Sequence, residues 1–379
     1  KTMNDLHLST GSERPAKPPG VPRRTFLQQS AGVAALVSSG MLAPSALAAR
    51  PSRPKLKVGQ IGCGHSHAAG KMAAFRSSPE WEVVGVVEND PEIRAEAKQE
   101  DVYRDLNWMT AEQLFNTPGL QVVAVETKVA QLLETAEACI DAGFSIHLDK
   151  PPGDSLFRFQ QLLAEAERKH LVVQMGYMYR YNPGIVLLQD LLAQGCLGEI
   201  FEVHGVMGKV IGQSKRQAWA EFPGGVLFEL GCHLVDLLIG ILGKPDEITT
   251  FHRRSGMFDD TLLDNALAVC EYPHATATIR SAAIDVEGFE RRHLVVFGTV
   301  GTVHIQRVDA ATARIALAKD YETYQAGYHS IALPKYERYV DDLADLAAVV
   351  RGEKQSDFPP EHDLAAQATL LEACEMDEH

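Results

Sequence analysis

From Lys55 onward, short apolar runs alternate with stretches of helical spacing. "KLKVGQIGCG" reads as a strand and Ser66 to Phe75 as a helix; "WEVVGVVEND" and "PEIRAEAKQ" repeat the pair. "LQVVAVETK" is a further strand, "VAQLLETAEACIDAG" a long helix, and "FSIHL" and "HLVVQM" two more strands. Runs this rich in Val and Ile, separated by helices, predict a parallel, doubly wound sheet covered on both faces. Such sheets bind ligands beyond the carboxyl ends of their strands.

The pattern changes at Gly176. In "GYMYRYNP" Tyr177, Tyr179 and Tyr181 alternate with Arg180 and Asn182, and Pro183 ends the run before a helix through "GIVLLQDLLAQG". Core packing accounts for at least one of these tyrosines. In "GGVLFELGCHLVDLLIGILG", residues 224–243, helical spacing puts Glu229, His233 and Asp236 in one narrow arc beside an apolar stripe of Leu230, Leu234, Leu237 and Ile241. So apolar a helix has little solvated face, and three polar groups near a core need partners or a purpose. An imidazole flanked by carboxylates suits a general base. Beyond it, "ALAVCEY", "ATATIRSAA", "RHLVVFG" and "GTVHIQ" alternate without intervening helices, the pattern of an antiparallel sheet. "YERYVDDLADLAAVVRG" and "EHDLAAQATLLEACEM" read as closing helices.

At 379 residues the chain has room for two domains. Its net charge of −14 argues against nucleic acid or an anionic membrane as partner. The six cysteines are scattered singly, so neither a thiolate zinc site nor a disulfide framework is expected. The first residues follow a different rule. Arg23 and Arg24 precede Thr25-Phe26-Leu27, a soft apolar run rich in Ala and Ser, and Ala46-Leu47-Ala48. The order is that of a removed targeting segment over 1–48, too short and soft for a stable membrane anchor, with 49–54 as linker. The arginine pair resembles a twin-arginine signal, which implies export in the folded state and a periplasmic or otherwise exported protein. Folded export hints at a cofactor loaded beforehand.

The first strand ends in "GQIGCGHSH". Gly62 permits a tight turn, and Gly64 lets backbone N–H groups approach a pyrophosphate at a helix start. His67 stands where a third glycine is usual. Glu88 ends the second strand, where a carboxylate accepts from the ribose hydroxyls and repels a 2′-phosphate; Asn89 and Asp90 strengthen that bias toward NAD over NADP. His65 and His67 alone do not make a metal site, because no neighbouring carboxylate or thiol pattern completes one. They read as loop histidines beside a cofactor, and no metal is expected. In "SIHLDKPPG" a buried strand runs into Asp149 and Lys150 and is stopped at once by Pro151, Pro152 and Gly153.

Taken together, "GQIGCG", "LDKPPG", "GYMYRYNP" and "GGVLFELGCHLVDLL" resemble the motifs of the glucose–fructose oxidoreductase, inositol dehydrogenase and MocA-like family, in order, from Lys55 to the C-terminus. The resemblance implies an α/β N-terminal Rossmann domain over 55–175. It also implies an α+β C-terminal domain over 176–379 with an open, mostly antiparallel sheet, whose last helices can pack back on the first domain. By position, the family's catalytic lysine is Lys150 and its histidine His233. Its aspartate four residues earlier is here Glu229, and its usual glutamate before the lysine is Asp149. Lys150 is then expected to stabilise the developing alkoxide, His233 to take the hydroxyl proton, Glu229 to orient the imidazole or grip a hydroxyl, and Asp236 to support His233. The cofactor would be lined by Gly62, Gly64, His65, Ser66, His67, Glu88, Asn89, Thr127 and Lys150, and the substrate by Tyr177, Tyr179, Arg180 and Asn182. The expected protein is an exported NAD-dependent oxidoreductase acting on a sugar, cyclitol or glycoside hydroxyl, as a homodimer or homotetramer. The alternative is redox-neutral chemistry with tightly held NAD(H). A non-catalytic nucleotide-binding protein would show a degraded lysine or histidine, and neither is seen.

Overall fold

The computed structural model describes residues 53–376 apart from residue 311; the targeting segment read in residues 1–48 lies outside them. The chain first builds a parallel sheet. β1 (Leu56–Ile61), α1 (Ala68–Ser77), β2 (Trp81–Val87), α2 (Pro91–Ala97), α3 (Ala111–Phe115), β3 (Leu120–Val125), α4 (Leu132–Asp141), β4 (Ser145–Leu148), α5 (Leu156–Arg168) and β5 (Val173–Met175) follow in order. The strands lie β2-β1-β3-β4-β5, every pair parallel. β4 is buried at every position, as a strand covered on both faces must be.

After α6 (Pro183–Ala193) come β6 (Ile200–Gly208), α7 (Gln213–Trp219), a wide π turn (Leu227–Gly231), α8 (Cys232–Leu242), β7 (Glu247–Arg253), β8 (Asn265–Glu271), β9 (Thr276–Ala282) and α9 (Gly288–Arg291). β10 (His293–Gly298), β11 (Gly301–Gln306), β12 (Ala313–Leu317), β13 (Gly327–Ile331), α10 (Val340–Val350) and α11 (Pro360–Ala373) complete the chain. The second sheet runs β13-β12-β11-β10-β6-β9-β8-β7. Every pair is antiparallel except β6 with β9. Burial alternates strictly along β10 and β11, the mark of a sheet covered on one face. α6 and α8 pack on the covered face.

Two features tie the sheets together. α10 packs on α1 and α11 on both α5 and α8. Trp81 Nε1 donates to the Leu343 carbonyl at 3.0 Å, and Gln367 Nε2 to the Gly153 carbonyl at 2.7 Å. The single helix read over residues 224–243 is instead a π turn running into α8, which alters what its polar residues face.

Candidate active site

The β1–α1 turn is shaped by Gly62. Its φ is +93°, and a Cβ there would stand 2.4 Å from the Thr127 backbone nitrogen, so only glycine fits. The Thr127 hydroxyl oxygen is buried without a partner. Glu88, just beyond β2, accepts the Cys63 N–H at 2.7 Å and the Asp90 N–H at 2.9 Å, while Asp90 caps α2. Gly64, Ser66 and Asn89 are exposed along this groove.

Asp149 and Lys150 follow β4 directly. Asp149 Oδ1 accepts the Lys150 N–H at 2.6 Å, and Oδ2 accepts from Lys71 Nζ at 2.8 Å. His65 Nδ1 lies 2.8 Å from Oδ2 and His67 Nδ1 3.2 Å from Oδ1. The carboxylate thought missing beside these histidines is thus supplied by Asp149, which corrects the sequence reading; their ligand atoms lie within 4.8 Å of one another. The Lys71 ammonium already provides the cation on Oδ2 and also donates to Glu126 at 3.0 Å. We therefore read the cluster as an ion-pair network. Gly176 leaves the room for it, since a Cβ there would meet Lys71 Nζ at 2.6 Å. Burial alone would raise the Asp149 carboxyl, but His65, Lys71 and His67 hold it well below its usual range. Burial, then the charge of Asp149, pushes Glu126 well up. Burial would lower the Lys71 ammonium, but Asp149 and Glu126 together raise it. Burial brings His67 down to about 3 despite Asp149.

Lys150 extends from this network to the second lobe, where Nζ donates to the Glu229 carbonyl at 2.8 Å. His233 sits beside it. The rings of Tyr179, Tyr177 and His67 have centroids 4.9, 6.0 and 6.1 Å from the His233 ring. His233 Nδ1 is buried without a partner. Burial, then the nearby Lys150 charge, lowers His233 well below the usual imidazole range, so it is neutral at neutral pH. Burial raises the Glu229 carboxyl, against the pull of Lys150 and His65. Lys150 and His233 are each 3 % exposed and so shut off from solvent, whereas Gly64 and Asn89 at the glycine turn are exposed.

Three expectations change here. Asp236 does not bond to His233; it takes Arg180 through Nε at 3.0 Å and Nη2 at 2.5 Å, and His362 at 3.0 Å. The guanidinium is the stronger partner and holds the carboxylate away from His233. Arg180 itself, expected on the substrate, is sealed between Asp236 and Asp363 beneath the Phe358 ring. Asn182, also expected there, caps α6 through the Gly184 N–H and donates to the Val308 carbonyl at 2.6 Å. Of that substrate set, the rings of Tyr177 and Tyr179 reach His233. Lys71 and Glu126 went unread. A lone lysine amid the small apolar residues of "AAGKMAAF", and a carboxylate ending the buried run "VVAVE", were the available signals.

Residues 56–177 match the family model described as an oxidoreductase family with an NAD-binding Rossmann fold, and residues 185–304 match the GFO/IDH/MocA C-terminal domain. The chain belongs to this oxidoreductase family.

Trans-1,2-dihydrobenzene-1,2-diol dehydrogenase of Bos taurus is 28% identical over 198 residues, covering 51% of this chain and 57% of that protein. The Sus scrofa enzyme of the same name is 27% identical over the same shares. The chain thus spans little more than half the length of these curated relatives. In fold it is similar to UDP-N-acetylglucosamine 3-dehydrogenase from Acidithiobacillus ferrooxidans, with TM-score 0.71 and 17% identity over 86% of this chain and 98% of that one. An oxidoreductase from Agrobacterium radiobacter in complex with NAD+, L-tartaric acid and magnesium gives TM-score 0.71 and 17% identity over 85% and 96%. The family's nicotinamide nucleotide fits the groove: a Cβ on Gly62 or Gly64 would narrow the cradle, the Thr127 hydroxyl lacks a partner, and Glu88 stands at the end of β2.

Proposed function

We propose that the protein moves hydride between a nicotinamide nucleotide and a hydroxyl-bearing carbon of a sugar, cyclitol or glycoside. The observation that carries the reading is the convergence of Lys150 and His233, from opposite lobes, at the closed end of the nucleotide groove. Bound nicotinamide supplies the hydride acceptor or donor. Lys150 supplies a positive charge and N–H donors for the substrate oxygen as it becomes anionic. Neutral His233 has a lone pair for the hydroxyl proton, and Tyr177 and Tyr179 set its ring plane. Glu229 lies within the field of Lys150 and suits a grip on a neighbouring hydroxyl. Glu88 supports NAD over NADP. The names of the diol and UDP-sugar dehydrogenases support a hydroxyl substrate, and the second sheet's less buried face supports a homodimer or homotetramer.

Asp149 and Asp236 act through others. Asp149 fixes the Lys150 main chain, and Asp236 anchors α8 through Arg180.

The paired Arg23 and Arg24 favour a second reading, in which the protein is exported to the periplasm with NAD(H) held and regenerated in place. Sugar-to-sugar hydride exchange or oxidation-assisted glycoside cleavage would then give no net NADH. Incubation with sugars, cyclitols and glycosides, with NAD or NADP added and with neither, tests both. Absorbance at the NADH band is followed together with substrate loss. Nucleotide-dependent NADH formation supports net oxidation, and substrate loss without added nucleotide supports the second reading. A protein that neither carries bound nucleotide as purified nor takes up NAD or NADP overturns both.

A further inference from the structure

We propose that the substrate carries an anionic group, a carboxylate or phosphate, which binds at Lys209 on the lip of the cleft, with Arg292 behind it. The proposal rests on the reading of this cleft as the reacting site and names the substrate class it would take.

Lys209 directly follows β6, and the chain there is held from two sides. The Lys209 N–H donates to the Ala282 carbonyl at 3.0 Å, and the Gly208 carbonyl accepts from Arg292 Nε at 3.2 Å. Arg292 Nη1 donates to the Tyr179 hydroxyl at 3.2 Å. The ring of that same Tyr179 lies 4.9 Å from His233. One continuous set of contacts therefore joins Lys209 to His233.

The local charges do not balance. Among the described residues Lys209 forms no ion pair; its ammonium lies 5.0 Å from the Trp219 ring centroid. Two of the acids around it are committed. Asp285 is taken by Arg280 at 3.0 Å and by Arg291. Asp309 is shared by Arg292 at 2.8 Å, Arg338 and the Tyr179 hydroxyl. Glu229 forms no ion pair among the described residues; burial raises its carboxyl against the pull of Lys150, His65 and Lys209, which makes it a weak counter-ion. Arg292 keeps one terminal nitrogen, Nη2, buried with no acceptor. Burial, then the charges of Lys215, Arg292 and Lys150, bring the Lys209 ammonium down to about 7. Near neutral pH the amine is thus only partly protonated for want of a counter-ion, and a bound anion would supply one and hold it charged.

The chain as a whole carries −14, so a cationic lip is local. In a cleft with low-dielectric walls such a surplus draws anions and orients them. Neutral hydroxyls gain little from a second and third cation beyond Lys150, whereas a carboxylate or phosphate gains a charge-assisted bond from Lys209. The cofactor's own phosphates are provided for at the Gly62–Gly64 turn, in the other lobe.

The test uses the chain loaded with NADH, titrated calorimetrically with glucose, glucuronate and glucose 6-phosphate. Either anion is expected to bind at least about tenfold more tightly than glucose, the scale at which one desolvated charge pair shows. Whichever of the two is preferred identifies the anion. Lys209→Met should bring the ratio toward one, and Lys209→Arg should keep it. Equal binding of all three, binding of neither anion, or a ratio unchanged in Lys209→Met would overturn the proposal. NADH loading, followed by its fluorescence, separates the two levels. A protein that carries no nucleotide and does not load NADH defeats the reading of the cleft, whereas a loaded protein without anion preference defeats the Lys209 proposal alone.

Discussion

The Lys150 ammonium, at the end of β4, donates to the Glu229 carbonyl at 2.8 Å, across 79 residues of sequence. The bond spans the two lobes and fixes the ammonium beside His233. An amide carbonyl is a modest partner for a buried charge, so the ammonium remains available to a stronger one. A substrate oxygen gaining negative charge is such a partner. Lys150→Met should therefore leave NADH binding intact and lower kcat by about 10²–10³-fold, the usual effect of removing one charge-stabilising donor. Fluorescence titration and steady-state turnover measure the two halves. Undiminished turnover would remove Lys150 from the chemistry.

The strands leading to Lys150 were legible because the parallel sheet is buried on both faces, and β2 and β3 show it as runs rich in Val. β6 and β7 were not. Their open faces carry Glu202, His204, Thr249 and Arg253, so each reads as a polar stretch with scattered apolar residues. α5 went unread although Phe159, Leu162, Leu163 and Ala166 mark its buried face. At the site, sequence spacing brought Glu229, His233 and Asp236 near one another, but their partners come from far along the chain. Asp236 pairs with Arg180 and with His362, which no local pattern could show, and Asp149 finds Lys71 in the same way.

Acid sensitivity should trace in part to His147. It is fully buried in β4, its Nδ1 lies 2.9 Å from Gln174 Oε1, and burial, then the Lys71 charge, lowers it to about 3. The unfolded chain binds a proton on this residue below about pH 6.5, while the folded one does not. Stability from this group is therefore complete above that pH and is lost as pH falls, at up to about 1.4 kcal/mol per pH unit. Glu126 and Asp342, both raised, act in the opposite direction. The difference between wild type and His147→Leu isolates the histidine. Urea unfolding at pH 7 and pH 5 should show a smaller loss in the variant. Equal losses would mean that His147 is protonated in the folded state.

Lys71 should matter more for stability than any exposed lysine. It is wholly buried and bridges Glu126 and Asp149 at 3.0 and 2.8 Å. Lys71→Met strips the cation from a buried carboxylate pair and should cost about 3–5 kcal/mol. Adding Asp149→Asn should recover part of that loss, because the residual charge goes with it. A double-mutant cycle by urea unfolding reads the coupling. Additive losses would show that the pair does not interact energetically.

Glu88 should decide between the two nicotinamide nucleotides. Its carboxylate is held by the Cys63 and Asp90 N–H groups, at 2.7 and 2.9 Å, so it is already aimed along the groove beside the glycine turn. Each oxygen keeps a lone pair for a ribose hydroxyl, and the same charge repels a 2′-phosphate. Replacing it by serine removes both effects and keeps a small acceptor. Hydrogen bonds to a charged group contribute about 1.5–3 kcal/mol, so Glu88→Ser should weaken NADH by about 10–100-fold. NADPH binding should strengthen at the same time, because the repulsion disappears while the glycine turn is untouched. Fluorescence titration of both nucleotides against wild type and variant gives the ratio directly. A wild-type preference for NADPH, or a variant with an unchanged ratio, would place the selecting group elsewhere in the groove.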